Sequence, residues 1–284
     1  MHTRSKLKLY FFICLVMVAF AANSLLCREA LASGLIGAAD FTVARMLSGA
    51  ATLWFLVIVM TGRYRLGGNW FSAMALLGYA VCFSLAYTTL SAGTGALLLF
   101  GAVQISMICW GLVNGERFPL LKWLGLLSAF AGLVWFVFPG VQAPPLGGAF
   151  LMLIGGLFWG VYSLLGRGAK NPTVDTAGNF VRAAPFALLL YFLPAHDAIS
   201  ASSVGWILAI ASGALASGLG YALWYWVLPR LTAGTSATLQ LSVPIIASVG
   251  GVVFLGEPLT SRLIVASAVI LSGILLFIHS ERAA

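Results

Sequence analysis

Two arginines, Arg45 and Arg182, stand inside long apolar runs of this 284-residue chain, one to two helical turns from the ends of those runs. An arginine at mid-bilayer costs roughly 3 kcal/mol on insertion scales, and much less near a boundary, where its stem lies in hydrocarbon and its head reaches water. The pair therefore has two readings. Each guanidinium snorkels, or pairs gate-like with backbone carbonyls and loop acids; alternatively it attracts an anionic group on a solute. Around them, polar side chains recur within the apolar runs: Asn23 and Ser24; Tyr79, Ser84 and Tyr87; Gln104 and Ser106, near a midpoint; Trp159, Tyr162 and Ser163; Tyr221, Trp224 and Tyr225; and Thr238, Gln240 and Ser242 ahead of Pro244. Aromatics with a polar tip offer stacking area together with hydrogen bonds, a combination that suits reversible binding of a small amphipathic solute. The plainer possibility is that these groups bond to a neighbouring helix or to their own preceding turn.

Covalent chemistry is poorly provided for. Intramembrane transferases need clustered acids for a metal and diphosphate, or a nucleophile beside a base, whereas this chain offers His196-Asp197 alone, in a loop. All seven acids and all three histidines fall in tails, loops or the ends of apolar runs, so no mid-membrane carboxylate is available to take up and release a proton during a cycle. Cys14, Cys27, Cys82 and Cys109 show neither disulfide nor metal-ligand spacing. No enzyme activity, cofactor or metal is expected. A non-transporting receptor or scaffold is the other rival class, and it would need longer loops or a soluble appendage.

The elements that position these residues follow from composition. With 61% hydrophobic residues, 8% charged and a mean hydropathy of +1.04, the chain has too little charge to coat a soluble surface. Roughly 20 residues span a hydrocarbon core of about 30 Å. Ten apolar segments qualify, over 8–26, 39–60, 70–89, 93–113, 121–138, 146–166, 177–193, 204–228, 233–255 and 260–279. Eight of the ten prolines lie between or at the ends of these segments; Pro185 and Pro244 lie inside, and Pro244 is expected to free a carbonyl and bend the ninth segment as a hinge. With the amino terminus in the cytoplasm, Arg4, Lys6, Lys8, Arg63, Arg65, Arg117, Lys122, Arg167, Lys170, Arg230 and Arg282 fall on the inner side, and only Arg28 and Arg262 outside. The net charge of +8 thus marks orientation in the lipid bilayer of the inner (plasma) membrane, with both termini cytoplasmic and no nucleic acid as partner. A signal peptide is the minor alternative for the first segment.

The chain is internally doubled. Leu90–Val137 aligns without a gap on Leu231–Ile278, with eleven identities in forty-eight positions, including Ala92-Gly93-Thr94 on Ala233-Gly234-Thr235 and Gly115-Glu116 on Gly256-Glu257. Ser24-Leu25-Leu26-x-Arg28-x-Ala30 likewise recurs as Ser163-Leu164-Leu165-x-Arg167-x-Ala169, and Arg45 aligns on Arg182. Five spans per half is an odd number, so the copies over 8–138 and 146–279 are expected upside down to one another, which creates two near-equivalent packings, one open to each side. Glu116 and Glu257, at span ends beside turns, suit helix capping or an arginine partner. Gly111-x-x-x-Gly115 and Gly156-x-x-x-Gly160 suit close helix contact. Trp70, Trp206 and Tyr79 suit an interfacial belt.

Gly256-Glu257-Pro258-Leu259-Thr260 followed by Gly273-Ile274, its weaker echo Gly115-Glu116-Arg117-Phe118-Pro119 with Gly132-Leu133, and the run Gly220-Tyr221-Ala222-Leu223-Trp224-Tyr225-Trp226 into Leu231-Thr232-Ala233-Gly234 together resemble the EamA-type branch of the drug/metabolite transporter superfamily. The resemblance covers essentially the whole chain. It implies an all-α membrane protein of ten helices in two inverted repeats, with a cavity built mainly from spans one to four and six to nine. The expected substrate is a small metabolite, often an amino acid or related compound, frequently moved outward. With both halves in one chain, a monomer is expected to suffice.

Overall fold

The computed structural model describes residues 2–63, 65–115, 117–166, 169–192, 201–231 and 239–280, and among these every regular element is helical. The elements are α1 (His2–Ala32), α2 (Ala38–Thr61), α3 (Trp70–Tyr87), α4 (Ala92–Val113), α5 (Leu120–Val137), α6 (Leu146–Leu165), α7 (Pro172–Ala187), α8 (Ser203–Ala211), α9 (Gly220–Val227), α10 (Ser242–Leu255) and α11 (Ser261–Ser280). Their ends follow local chemistry. Asn69, Ser91 and Ser202 cap α3, α4 and α8 by accepting from Ser72, Thr94 and Gly205 backbone N–H groups. Pro172 occupies the first turn of α7. Gly62 and Gly256, both at φ 64°, end α2 and α10 in the left-handed conformation.

Among the described residues, eight helical stretches are long and apolar enough to cross a membrane, α8 and α9 forming one of them over Ser203–Arg230. This is two fewer than the ten segments expected. The seventh opens on the polar turn Pro172-Thr-Val-Asp175 and tightens into a 3-10 turn over Leu188–Phe192, shortly after Pro185 removes a helical donor. The ninth is apolar but short: α10 begins only at Ser242, after a turn at Leu241. Pro244 consequently sits in the first turn of α10, where its missing N–H has no helical partner to lose, and not inside an unbroken helix. Residues 212–219, linking α8 to α9, are wound as π-helix.

Large apolar side chains such as Phe55, Phe71, Phe130, Phe150 and Phe254 face outward, as lipid-facing surfaces require, while Phe41, Phe83, Leu97, Met152 and Phe180 are buried. Nearly all of the heavy packing joins the first half to the second: α2 on α7, α3 on α6 and α7, α4 on α6 and α10, α1 on α8, α9 and α10, and α5 on α11. Small residues allow it. A Cβ on Gly156 would lie 2.6 Å from Ala102 Cβ and one on Gly160 2.1 Å from Ser106 Oγ, so that motif seats α6 on α4. Gly111-x-x-x-Gly115 has no such role: Gly115 lies beyond the end of α4 at φ 88° with nothing within 4 Å of its Cβ position.

Loop contacts are consistently paired. Leu35 O accepts from Ser202 N at 2.8 Å, Asp40 accepts from the Tyr191 hydroxyl at 2.7 Å, and Ser261 donates to Gln142 Oε1 at 3.1 Å. Arg262 donates to the carbonyls of Trp135, Phe136, Phe138 and Val141, satisfying the free end of α5. At the other ends of the helices, Gly67 N reaches Val174 O and Gly68 N reaches Asp175 Oδ1 at 2.8 Å.

Candidate functional site

Where α1, α2, α3, α6 and the π-helical segment converge, an interior polar chain runs through the bundle. Ser212 donates to Asn23 Oδ1 at 2.6 Å, Asn23 Nδ2 lies 3.5 Å from the Tyr79 hydroxyl, and Arg45 donates to that same oxygen at 3.1 Å. Local sequence places each of them. Gly213 brings the π segment against α2, since a Cβ there would lie 2.2 Å from Arg45 O and 2.1 Å from Ser48 Oγ. One turn along the same face of α2, Gly49 makes room for Phe180, whose ring carbon lies 2.6 Å from its Cβ position.

Arg45 does not snorkel. It is 1% exposed, its guanidinium stands 4.7 Å from the Phe83 ring centroid and 5.2 Å from that of Tyr79, and its Nε and Nη1 have no hydrogen-bond partner. No carboxylate among the described residues lies within ion-pairing reach of it. Two ring faces recover something like 2 kcal/mol each at best. Each unmade donor on a desolvated cation costs about 1–3 kcal/mol or more. The Ser217 hydroxyl, on the same π segment, is also buried without a partner.

Aromatic rings continue outward from Arg45. Tyr79 packs on Trp159 at 4.8 Å between centroids, Trp159 on Tyr221 at 5.1 Å and on Tyr162 at 5.4 Å, and Phe180 borders Tyr221 at 6.0 Å. Tyr162, whose hydroxyl lies 3.4 Å from Thr176 Oγ1, lines a narrow cleft with Tyr225, Asn179 and Asp175. Beyond it a wider, open cavity of about 480 Å³ is lined by Arg65, Gly67, Lys170 and Asp175. This open cavity lies at the loop end and not beside Arg45; the ring stack lies between the two.

The opposite end is sealed. Arg28 Nε contacts Glu257 Oε1 at 2.8 Å, Glu257 Oε2 accepts from Ala92 N at 2.8 Å, and Arg28 Nη1 reaches Tyr87 O at 3.3 Å. One carboxylate is both an arginine partner and a cap on the first turn of α4, where the helix dipole favours negative charge. It ties α1 and α4 to the α10–α11 loop, so the clamp bridges the two halves. Its repeat partner Glu116 falls outside the described residues, as do Arg167, His196, Asp197 and Arg282.

Among the sequence-derived candidates, Asn23, Tyr79, Trp159, Tyr162 and Tyr221 come together here, and Trp224 joins them through Phe20 at 5.9 Å. Tyr79 is buried and takes no part in an interfacial belt. Ser84 and Ser163 instead bond the carbonyls of Ala80 and Trp159 in their own helices, the packing role. Ser24 is buried beside the Tyr87 hydroxyl, Gln104 is buried in α4, and Gln240 is half-buried ahead of α10. Thr238 lies outside the described residues. Arg182 donates to Gly67 O at 2.5 Å, pairing with a backbone carbonyl. Sequence reasoning missed Ser212, Ser217, Phe83, Phe180 and Thr176; the small-residue run Ser212-Gly-Ala-Leu-Ala-Ser217-Gly was the available signal for a close and irregular helix.

Comparison with known proteins bears on this arrangement. The model of the EamA-like transporter family matches residues 146–279. An uncharacterized protein of Pseudomonas aeruginosa is 50% identical over 268 residues, covering 93% of this chain and 92% of its own. The threonine/homoserine exporter RhtA of Salmonella typhimurium is 29% identical over 255 residues, covering 84% of this chain and 81% of its own, and RhtA of Escherichia coli matches to the same extent. A crystal structure of a protein 19% identical superposes with a TM-score of 0.67 over 95% of this chain and 97% of the other, a likeness of fold.

Proposed function

The chain belongs to the EamA-type branch of the drug/metabolite transporter superfamily, whose members are multi-pass membrane proteins, and on that premise we propose that it exports a small metabolite of the amino-acid class by alternating access. The observation that carries this reading is the asymmetry along the bundle axis. A buried polar and aromatic site is clamped shut at one end by Arg28, Glu257 and Ala92, and approached from the other by a cleft that ends at Tyr162.

Alternating access draws on two inverted repeats, 8–138 and 146–279, with α7 and its 3-10 extension as the seventh span and the region around 233–255 as the ninth. The packing favours this pairing. Exchanging each span for its repeat partner turns α3 on α6 into α8 on α1, α4 on α6 into α10 on α1, and α3 on α7 into α8 on α2, while α2 on α7, α4 on α10 and α5 on α11 map onto themselves; all of these contacts are present. The loop contacts also join segments that alternation assigns to one side. Cysteine substitutions at Arg117 and Arg262 will label from opposite faces under this topology; labelling from a single face ends it. The excess of Lys and Arg on that side supports a cytoplasmic position for the open end, with Arg65 and Lys170. The turn before Pro244 is the proposed hinge, and Pro244→Ala will slow turnover more than it lowers expression.

Purified protein in liposomes, preloaded with unlabelled threonine, homoserine or other amino acids, will take up the labelled compound by exchange without a pH gradient. Uptake that requires a pH difference refutes the uncoupled mechanism. No flux of any metabolite through folded protein refutes transport.

A further inference from the structure

A cation buried in the middle of a membrane protein with two donors unmade is poised for a partner that the protein itself does not supply. We propose that Arg45 is the receptor for a single carboxylate of the transported solute, so that the substrate class is the small monocarboxylate, neutral amino acids included. This inference rests on the transport reading above and sharpens it.

Three features of the site agree. The unpartnered Nε and Nη1 of Arg45 lie on opposite edges of the guanidinium, so a carboxylate can accept from one of them together with the second N–H of Nη2 that Tyr79 leaves free on that edge. Its third nitrogen, Nη2, is held by Tyr79, which fixes the guanidinium without neutralising it. The ring stack from Tyr79 through Trp159 to Tyr162 then provides an apolar and hydroxyl-tipped track between Arg45 and the cleft, along which the rest of a small solute can lie. Arg65 and Lys170 at the mouth raise the local concentration of anions, while Asp175 there is already engaged by Gly68 N.

One carboxylate balances one guanidinium. In the loaded site the guanidinium is paired with a carboxylate, whereas the empty site retains an unpaired cation. Reorientation is easier loaded than empty, which favours exchange over net flux. Arg45 acts as a binding group and no covalent step is involved.

The test uses purified full-length protein in detergent. Thermal protection and tryptophan fluorescence are titrated with L-threonine, L-homoserine, the other neutral amino acids and acetate, each beside its amide, which lacks the carboxylate charge. In the wild-type protein at least one carboxylate will bind about tenfold or more tightly than its amide, the ratio expected for losing a charge-assisted hydrogen bond. Arg45→Gln will bring acid and amide to equal affinity, and Arg45→Lys will restore part of the preference. Equal binding of acid and amide to the wild type, protection by no carboxylate, or a preference that survives in Arg45→Gln each overturns the proposal. The wild-type ratio requires no variant and so stands even if Arg45→Gln fails to fold. Counterflow in liposomes separates this inference from its premise. Flux indifferent to the carboxylate removes Arg45 as receptor and leaves a transporter; carboxylate binding through Arg45 without flux of any solute does the reverse.

Discussion

Arg45 and Arg182 hold corresponding places in the two halves, 137 residues apart, and the bundle uses them differently. Arg182 is half-buried and spends its guanidinium on Gly67 O and the face of Trp70, pinning the loop between α2 and α3 to α7. Arg45 is fully buried, anchored by one nitrogen to Tyr79, with its other two unpaired. The same residue type in repeat-related positions thus serves as a strap at one end of the molecule and as an unfilled socket inside it. Under the alternating access proposed above, a doubled sequence folded into one conformation need not give symmetric sites.

The sharpest way to break this contrast is to neutralise each arginine. Arg45→Gln should cut amino-acid exchange about a hundredfold in liposomes, on the scale of a charge-assisted bond to substrate lost in a dry site. Arg182→Gln should leave exchange within about tenfold, since it removes a loop contact. Comparable losses for both would make the two sites equivalent and defeat the distinction.

The clamp supplies the next largest effect. Glu257→Gln leaves Arg28 without its counter-ion and weakens the cap on Ala92 N, which should cost the closed end about 1–3 kcal/mol. A cysteine placed at Ser91 will then react several-fold faster with a water-soluble maleimide. An unchanged labelling rate would show that the clamp is not what seals that end.

Two glycines probe the supports of the two arginines. A Cβ on Gly213 would press 2.2 Å from Arg45 O in α2, and one on Gly178 would press 2.0 Å from Gly67 O in a loop. Helix backbone yields less than loop backbone, so Gly213→Ala should destabilise by about 1–3 kcal/mol and lower exchange, with Gly178→Ala the milder of the two in a thermal melt. The smallest effect is expected from Tyr79→Phe, which deletes the acceptor of Arg45 Nη2 while keeping the ring. Its cost of about 1 kcal/mol should appear as a few-fold weaker binding with unchanged melting.

Much of this was legible in the chain. Hydropathy and the positions of proline marked most helices, because a bilayer demands long apolar segments and proline cannot donate within them. The Gly256-Glu257 signature pointed to a structural acid, and Glu257 is indeed both cap and arginine partner. The polar residues of single runs were harder to sort. Ser84 and Ser163 turned back on their own helices while Asn23 and Tyr79 reached across to others, a choice made by which neighbour stands within hydrogen-bonding reach and not by residue type. The seventh segment, expected over 177–193, is helical as α7 and its 3-10 extension, yet shorter and more polar than an isolated span requires, which tertiary packing allows.

By itself, the order of residues determined the solvent of this protein and the recurrence of its motifs at a fixed offset, since each depends on composition and period alone. Whether Arg45 would reach for the boundary or turn inward was decided by the fold. The π-helical approach of Gly213 to α2, the hydroxyl of Tyr79 and the ring of Phe83 close around that guanidinium. They come from distant parts of the chain, and only packing brings them together.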